Sequence, residues 1–318
     1  MNNITTPKTA QTTIGKAAAR PNYYKRKAAR DRRAFLLFIA PAVFVFSLML
    51  LWPLLNMFYL GFVEWKGILK PQTYIGLENY WRLFSDRHFH RALVNTGMHL
   101  MISMPGVMLP AFMLGFFLSL RRTGYRILRT IFFLPAMISV TALAMMFVGV
   151  YMPEGILNAF LSGVGLESWT RPWLGNPTTV MPAIILIDLY SGIGFYAVLF
   201  SAALAGVPMD LYESARLDGA GQWTIMWRIG FPLILDFFGV ACILHLMWIL
   251  LGASQRVLLL TAGGPGDYSL TLGYYLYEQA FKTQRLGYSQ AIGVVIFFIG
   301  ALGIMVIRQT TRRDYQQK

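Results

Sequence analysis

The sequence predicts an all-α, polytopic membrane protein that crosses the bilayer with six transmembrane helices. Only 13% of the 318 residues are charged and 56% are hydrophobic, whereas a soluble domain carries about 25% charged residues. Long apolar runs explain this deficit, because about 18 or more apolar residues in a helix span the roughly 30 Å hydrocarbon core. Six such runs occur, at about 34–60, 95–120, 130–151, 179–205, 232–260 and 288–307.

The first run is expected to remain in the membrane. It is too long for the apolar region of a secretory signal, and no small-residue cleavage site follows it. The residues before it are polar and basic, so we expect them to lack fixed structure and to contact anionic lipid headgroups in part. The predicted organisation is a basic tail at 1–33, a first transmembrane helix at 34–62, an outer segment at 63–90, a five-helix core at 91–310 with a polar segment at 206–231, and a second tail at 311–318.

The net charge of +14 follows the predicted topology. Cytoplasmic connections of membrane proteins carry an excess of Lys and Arg, and most of the 28 such residues fall in one set of connections. Both termini and the segment 206–231 are therefore expected in the cytoplasm, and this alternation argues against nucleic acid as a partner. The cationic set is Lys8, Lys16, Arg20, Lys25, Arg26, Lys27, Arg30, Arg32, Arg33, Arg121, Arg122, Arg126, Arg129, Arg216, Arg228, Arg308, Arg312, Arg313 and Lys318.

Residues for intramembrane catalysis are absent from the predicted spans. An enzyme would need a nucleophile with a base, or a metal pair such as two His at helical spacing, and the spans contain neither. Cys242 stands alone in the fifth span and is expected to be a small buried hydrophobe. No phosphate-binding loop of the Walker type is present, so the chain is not expected to hydrolyse ATP by that route.

The polar segment 206–231 predicts two short helices joined by a turn. Pro208 suits the first turn of a helix, and Asp210 in that turn favours the helix dipole. Asp218 and Gly219 form a turn pair in which Gly can adopt a positive φ. A second helix follows, with three large residues on one side: Trp223, Met226 and Ile229. Composition alone would also suit an ordinary amphipathic loop at the membrane surface.

The same segment carries a more specific pattern. From Glu213 to Pro232 it reads E-S-A-x-x-D-G-A-x-x-W-x-x-M-x-x-I-x-x-P, which resembles the EAA motif of the membrane subunits of binding-protein-dependent ABC importers. The departures from that motif, at Ser214, Met226, Gly230 and Phe231, are mild. Further matches to the carbohydrate branch, the maltose and glycerol-phosphate permeases, are Asn95-Thr96, FFLP at 132–135, GILN at 155–158, TAGGP at 261–265 and LGYSQA at 286–291.

This resemblance implies a type I ABC importer permease fold in the bacterial inner membrane. In that family the segment docks in a cleft of a separate ATPase dimer, and a second homologous permease and an extracytoplasmic solute-binding protein complete the importer. ATP and Mg²⁺ are held by the ATPase, so this chain itself is expected to bind no cofactor or metal. The residues implied in coupling are Glu213, Ser214, Ala215, Asp218, Gly219, Ala220 and Trp223.

Polar residues inside the spans suggest where a solute binds, because an intramembrane ionisable group is costly. Two helix faces are candidates, with residues at i, i+4, i+7 in the fourth span and at i, i+3, i+7 in the fifth. A carboxylate and an imidazole can bond sugar hydroxyls, and aromatic rings can stack on sugar faces. The predicted substrate-binding residues are Asp188, Gly192, Phe195, His245, Trp248 and Gly252. The alternative is that Asp188 and His245 bond each other or neighbouring helices for packing.

Three further ionisable residues lie in the spans without indicating a site. Asp236 is near the cytoplasmic end of the fifth span, where we expect a structural role. Arg256 is near the outer end, where it can extend to the interface, and the position of His99 indicates nothing further. Two functional alternatives stay open: the same architecture moving another polar solute, such as glycerol phosphate or an amino acid, or a secondary transporter that needs no ATPase.

Overall fold

The computed structural model describes residues 35–121 and 123–312. The predictions for the basic tail at 1–33, and for all but the first two residues of the tail at 311–318, fall outside this range. Six helices are long and apolar enough to cross a membrane, so the predicted all-α architecture with six spans is confirmed. A two-stranded antiparallel ribbon, in which Val63 pairs with Tyr74, is the one addition in the described residues.

The elements follow one another in a simple order. The helices are α1 Phe35–Leu60, α2 Glu78–Ser85, α3 Arg87–Ser119, α4 Tyr125–Met137, α5 Val140–Tyr151, α6 Ile156–Gly163, α7 Val180–Ala205, α8 Met209–Leu217, α9 Gln222–Ile225, α10 Leu235–Leu260, α11 Leu272–Tyr277 and α12 Leu286–Thr311. The strands are β1 Val63–Glu64 and β2 Thr73–Tyr74, and π-helical turns occur at Ser47–Leu51, Met226–Gly230, Trp248–Gly252 and Glu278–Lys282.

The chain divides into two compact units at Asn56, inside α1. The α1 residues of the first unit, 35–56, are apolar around the whole helix. Large side chains such as Phe38, Phe44 and Trp52 are exposed to the surroundings. A helix that is apolar on all sides suits a hydrocarbon environment rather than water.

The second unit, Met57–Lys318, is a bundle built around α3 and α7, which share its most extensive contact. These helices approach closely because small residues face them: a Cβ at Gly115 would lie only 2.8 Å from the carbonyl oxygen of Ala197. A Cβ at Gly194 of α7 would likewise overlap the backbone of Phe132 in α4. Small residues of this kind let helix backbones touch in membranes, where no hydrophobic force drives association.

The third apolar run is interrupted, which corrects the prediction of one continuous span at 130–151. Helix α4 ends at Met137 and α5 begins at Val140. The Oγ atom of Ser139 accepts a hydrogen bond from the N–H of Ala142 at 3.2 Å, so Ser139 caps α5, a role that Ser favours. The membrane-length segment is therefore Val140–Gly163, which joins α5 and α6 across a short turn.

The second span also begins earlier than predicted, at Arg87, inside the predicted outer segment. Asp86 caps this helix by accepting a hydrogen bond from the N–H of His88 at 2.9 Å, and it also accepts bonds from the hydroxyls of Tyr275 and Tyr288. Burial raises the pKa of Asp86, but these hydrogen bonds outweigh burial and leave the pKa below its ordinary value.

Two side chains near the start of α3 hold the segment before α11. The amide of Asn95 donates to the carbonyl oxygens of Asp267 and Leu270 at 2.8 and 2.9 Å. The hydroxyl of Thr96 accepts a hydrogen bond from the N–H of Leu272 at 2.9 Å. We call this part of the bundle, formed by residues 61–86 and 262–285, the loop end.

Candidate coupling segment and transport cavity

The segment 206–231 folds as a helix, a tight turn and a second helix. The turn closes after α8 with hydrogen bonds from the N–H of Gly219 to the Arg216 carbonyl and from the N–H of Ala220 to the Ala215 carbonyl, at 3.0 and 2.9 Å. Gly219 has a φ of +81°, the left-handed conformation that its place in the Asp-Gly pair predicts. The chain can therefore reverse direction here within three residues.

The predicted coupling residues form one surface around this turn. Glu213, Ser214, Asp218 and Gly219 are exposed, and the two alanines of the motif are half-buried beside them. Neither Glu213 nor Asp218 forms an ion pair with another residue of the described chain. The surface thus consists of small side chains and two carboxylates, and it is accessible to another molecule.

The candidate coupling segment, as we call residues 206–231, is attached to the bundle through the C-terminal end of α3. The ring of Tyr212, which is buried, packs edge to face on Phe116 with centroids 6.3 Å apart. The indole of Trp223 makes a similar contact with Phe117 at 6.0 Å. Tyr212 was not among the predicted residues, although a large aromatic residue directly before Glu213 is a signal for an anchor.

The three large residues predicted on one side of the second helix differ in burial. Trp223 remains 56% exposed, Met226 is fully buried and Ile229 is half-buried. The helix changes to a π-helical turn at Met226–Gly230, which shifts the direction of the residues after Met226. Pro232 lies in a short helical turn at Phe231–Leu233, and the long fifth span begins just after it, at Leu235.

The second candidate region is centred on Asp188 in α7, whose side chain is 1% exposed. Its Oδ2 atom lies 2.6 Å from Nε2 of His99 in α3. Its Oδ1 atom accepts a hydrogen bond from Nε1 of Trp248 in α10 at 3.1 Å and forms an ion pair with Nη1 of Arg256 in the same helix. One carboxylate therefore joins three spans.

His245 belongs to a neighbouring pair and does not contact Asp188. Its Nε2 atom lies 2.6 Å from the hydroxyl of Ser103 in α3, and its ring packs edge to face on Tyr196 with centroids 5.4 Å apart. Of the alternatives weighed above, direct pairing of Asp188 with His245 is therefore wrong. Both residues bond to neighbouring helices instead.

These groups surround a cavity of about 390 Å³ between α7, α10 and the break between α4 and α5. Five of the six predicted substrate-binding residues line it, namely Asp188, Gly192, Phe195, His245 and Trp248. The sixth, Gly252, lies beneath the indole of Trp248, where a Cβ would come within 2.4 Å of the ring. The cavity combines an aromatic surface with polar groups in a largely apolar wall.

Arg256 and His99 are buried around Asp188, and the position of Arg256 corrects the sequence-based expectation. Arg256 does not extend to an interface; it is 4% exposed and also donates from Nη2 to the hydroxyl of Ser191 at 2.9 Å. His99 is completely buried. Arg256 could have been found from its spacing, because it continues the face of His245, Trp248 and Gly252 by one further turn.

Six spans, a cavity with polar and aromatic walls beside the spans, and an exposed helix–turn–helix define a polytopic transport subunit. The chain belongs to the family described as "binding-protein-dependent transport system inner membrane component", whose model matches residues 106–313, more than half of the chain. It is accordingly a multi-pass inner-membrane protein, an ABC importer permease subunit and not an enzyme.

Individual relatives agree with this assignment. The chain is 35% identical over 276 residues to the probable ABC transporter permease protein YurN of Bacillus subtilis, covering 86% of this chain and 94% of the relative. It is 31% identical over 334 residues to the diacetylchitobiose uptake system permease protein NgcF of Streptomyces coelicolor, covering 99% and 94%.

A solved structure agrees with the fold. It is the crystal structure of a bacterial ABC transporter involved in the import of the acidic polysaccharide alginate, and it matches with a TM-score of 0.74 and 25% identity over 92% of this chain and 100% of that chain. The predicted type I importer permease fold is confirmed.

Proposed function

We propose that this protein is one of two permease subunits that form the alternating-access pathway for a sugar or oligosaccharide. An extracytoplasmic binding protein delivers the solute, and a separate ATPase dimer binds ATP and Mg²⁺ and drives transport through the segment 206–231. The observation that carries the substrate class is the cavity at Asp188 and Trp248, where a flat indole and polar groups meet inside apolar spans.

The cavity suits a saccharide for chemical reasons. A sugar presents hydroxyls that need hydrogen-bond partners when desolvated and flat faces of C–H groups that stack on aromatic rings. Trp248 and Phe195 supply such rings, and Ser191 and Arg256 supply polar atoms on the same wall. The names of two matched proteins, a diacetylchitobiose uptake permease and an alginate importer, support this class.

The coupling segment suits an ATPase partner. Glu213 offers an exposed carboxylate that can pair with a cationic group, and the turn at Gly219 narrows the tip so that it can enter a cleft. The excess of Lys and Arg in the connections on this side supports a cytoplasmic position for the tip and both termini. Closure of the ATPase dimer would then move the tip, and the spans would move with it as rigid bodies.

The test is reconstitution of the complex. The chain is co-expressed with its proposed partners, the second permease, the ATPase and the binding protein. The purified complex is placed in vesicles, and uptake of a panel of sugars is measured with and without ATP. We expect uptake that requires ATP and loaded binding protein. Uptake that persists without the ATPase would indicate a secondary transporter, and selective uptake of glycerol phosphate or an amino acid would indicate the other solute class.

A coupling variant separates the two halves of the proposal. Glu213→Lys reverses the charge offered to the partner and leaves the cavity unchanged. We expect the variant to be folded and membrane-inserted but to lose ATPase association and ATP-driven uptake. Wild-type association and uptake in this variant would overturn the assigned role of the segment.

A further inference from the structure

We propose that Arg256 is the charged side chain that bonds the transported solute, and that Asp188 is a positioning residue that holds Arg256 in place. The inference rests on the proposed function, because it names the group of the same cavity that meets the sugar. It also reverses the expectation from sequence, in which Asp188 is the ligand and Arg256 has no role in the site.

The carboxylate of Asp188 is already engaged by the protein. Its Oδ2 atom faces Nε2 of His99, and its Oδ1 atom faces both Trp248 and Arg256. A carboxylate has about four acceptor positions, and three donors from two other helices converge on this one. With a side chain that is 1% exposed, Asp188 has little capacity left for a solute hydroxyl.

Arg256 has donors to spare. A guanidinium carries five N–H donors, of which Nη1 faces Asp188 and Nη2 donates to Ser191. Its Nε atom is buried and makes no hydrogen bond within the described residues. Because a buried donor without a partner is costly, a solute oxygen that enters the cavity beside Arg256 is a favourable acceptor for it.

The charge of the wall favours a neutral oxygen. Among the described residues that line the cavity, Asp188 is the carboxylate and Arg256 the permanently charged cation, and they neutralise each other. A carboxylate on the solute would leave surplus negative charge in a medium that solvates charge poorly. Arg256 also lies over the indole of Trp248, with its Cζ atom 5.2 Å from the ring centroid. A hydroxyl or ring oxygen of a sugar stacked on Trp248 would therefore lie next to the guanidinium.

The experiment uses two variants of the reconstituted importer. Arg256→Lys keeps the ion pair with Asp188 but removes the Nε donor. The double variant Arg256→Gln/Asp188→Asn removes both charges together and so leaves no unpaired buried ion. Arg308→Lys, in α12 and outside the cavity lining, is the matched control. The probes are diacetylchitobiose and maltose, each with its monodeoxy analogues, and the readouts are the KM of uptake and the ATPase rate stimulated by loaded binding protein.

We expect both cavity variants to assemble and to keep stimulated ATPase activity, while the KM for the parent sugar rises about tenfold or more, as for one lost hydrogen bond to a charged group. In the wild type, one deoxy analogue should carry a comparable penalty, and that penalty should disappear in both variants. This loss of discrimination is a readout that a purely structural arginine would not change.

Two results would overturn the inference. If both variants retain the wild-type KM and the wild-type penalty for every deoxy analogue, Arg256 does not contact the solute. If neither variant assembles although charge is balanced in each, Arg256 is a structural residue. Failure of the wild type to take up any sugar of the panel, diacetylchitobiose and maltose included, is a different outcome, because it rejects the proposed substrate class before any variant is compared.

Discussion

The candidate coupling segment, residues 206–231, and the cavity at Asp188 each present acidic side chains, but the surroundings of these side chains are opposite in kind. Asp188 in the cavity is buried and engaged by three donors of the same chain, whereas Glu213 and Asp218 are exposed without an ion pair in the described residues. A carboxylate inside a membrane must be paired, while one in water need not be. The pairing at Asp188 therefore follows from the fold itself, and the exposed surface around Glu213 is where the proposed partner would bind.

The largest effect is expected from removing the buried carboxylate of the cavity, Asp188, because its exposed counterparts need no partner in the chain. Asp188→Ala leaves Arg256 as an unpaired buried cation, which typically costs about 3–5 kcal/mol. We expect a large loss of assembled protein in the membrane and a lower Tm of what remains, measured by fluorescence size-exclusion on heated samples. Recovery of the Tm in Arg256→Gln/Asp188→Asn is the matched control, and a wild-type Tm in Asp188→Ala would contradict the pairing.

The loop end provides an intermediate case, since Asp86 is half-buried and accepts bonds from two tyrosines. Asp86→Asn should lower the free energy of unfolding by about 1.5–3 kcal/mol, the usual range for hydrogen bonds to a charged group. Because the folded pKa of Asp86 is lowered, its contribution is complete above the ordinary pKa and is lost as pH falls through the lower folded value.

Unfolding of wild type and Asp86→Asn should therefore be compared between neutral pH and acid. The difference in the free energy of unfolding between wild type and variant should be constant at neutral pH. It should shrink only at a pH below the ordinary range for Asp. A difference that already shrinks near pH 6 would show that another group carries the effect.

A smaller effect is expected at the turn of the candidate coupling segment, where the exposed surface depends on backbone conformation and not on ion pairing. Gly219→Val places a β-branched residue at a φ of +81° and should cost about 1–2 kcal/mol locally. Gly221→Val is the control, because Gly221 has a φ of −70° and, like Gly219, open space around it. We expect only Gly219→Val to lose co-purification with the ATPase, and equal behaviour of the two would remove the turn geometry from the explanation.

The smallest effect is expected at the anchor of the same segment. The hydroxyl of Tyr212 is buried and makes no hydrogen bond with any described residue. Tyr212→Phe keeps the ring contact with Phe116 and removes only this unsatisfied group, so Tm and uptake should be unchanged or slightly higher. A clear drop in either value would show that the hydroxyl has a partner in the assembled importer.

The parts of the fold that depend on composition were predictable from sequence. Membrane-length runs locate four spans closely but miss the first turns of the second, which begins at Arg87, and the Asp-Gly pair predicts the positive φ at Gly219. The break at Ser139 escapes prediction because the residues around it are as apolar as a continuous span, and the cap is visible only once its hydrogen bond is known.

The candidate cavity shows a different limit of sequence reasoning. Helical spacing correctly gathers Asp188 and Gly192 on one face and His245 and Trp248 on another, since that information is local. It does not reveal which faces meet, so the partnership of Asp188 with His99, 89 positions earlier in the chain, requires the packed structure. The substrate role of these residues stays a prediction.

The long helix α3 has a mechanical consequence. Asn95 near one end bonds the loop end and Phe116 near the other contacts the coupling segment, and at 1.5 Å per residue they lie about 30 Å apart. A helix resists shortening, so it behaves as a strut between the two membrane surfaces. Tilting it by about 10° would shift one attachment relative to the other by roughly 5 Å, close to one helical turn. A movement of one attachment can thus displace the other through α3 alone, without any change in the hydrogen bonds within this helix.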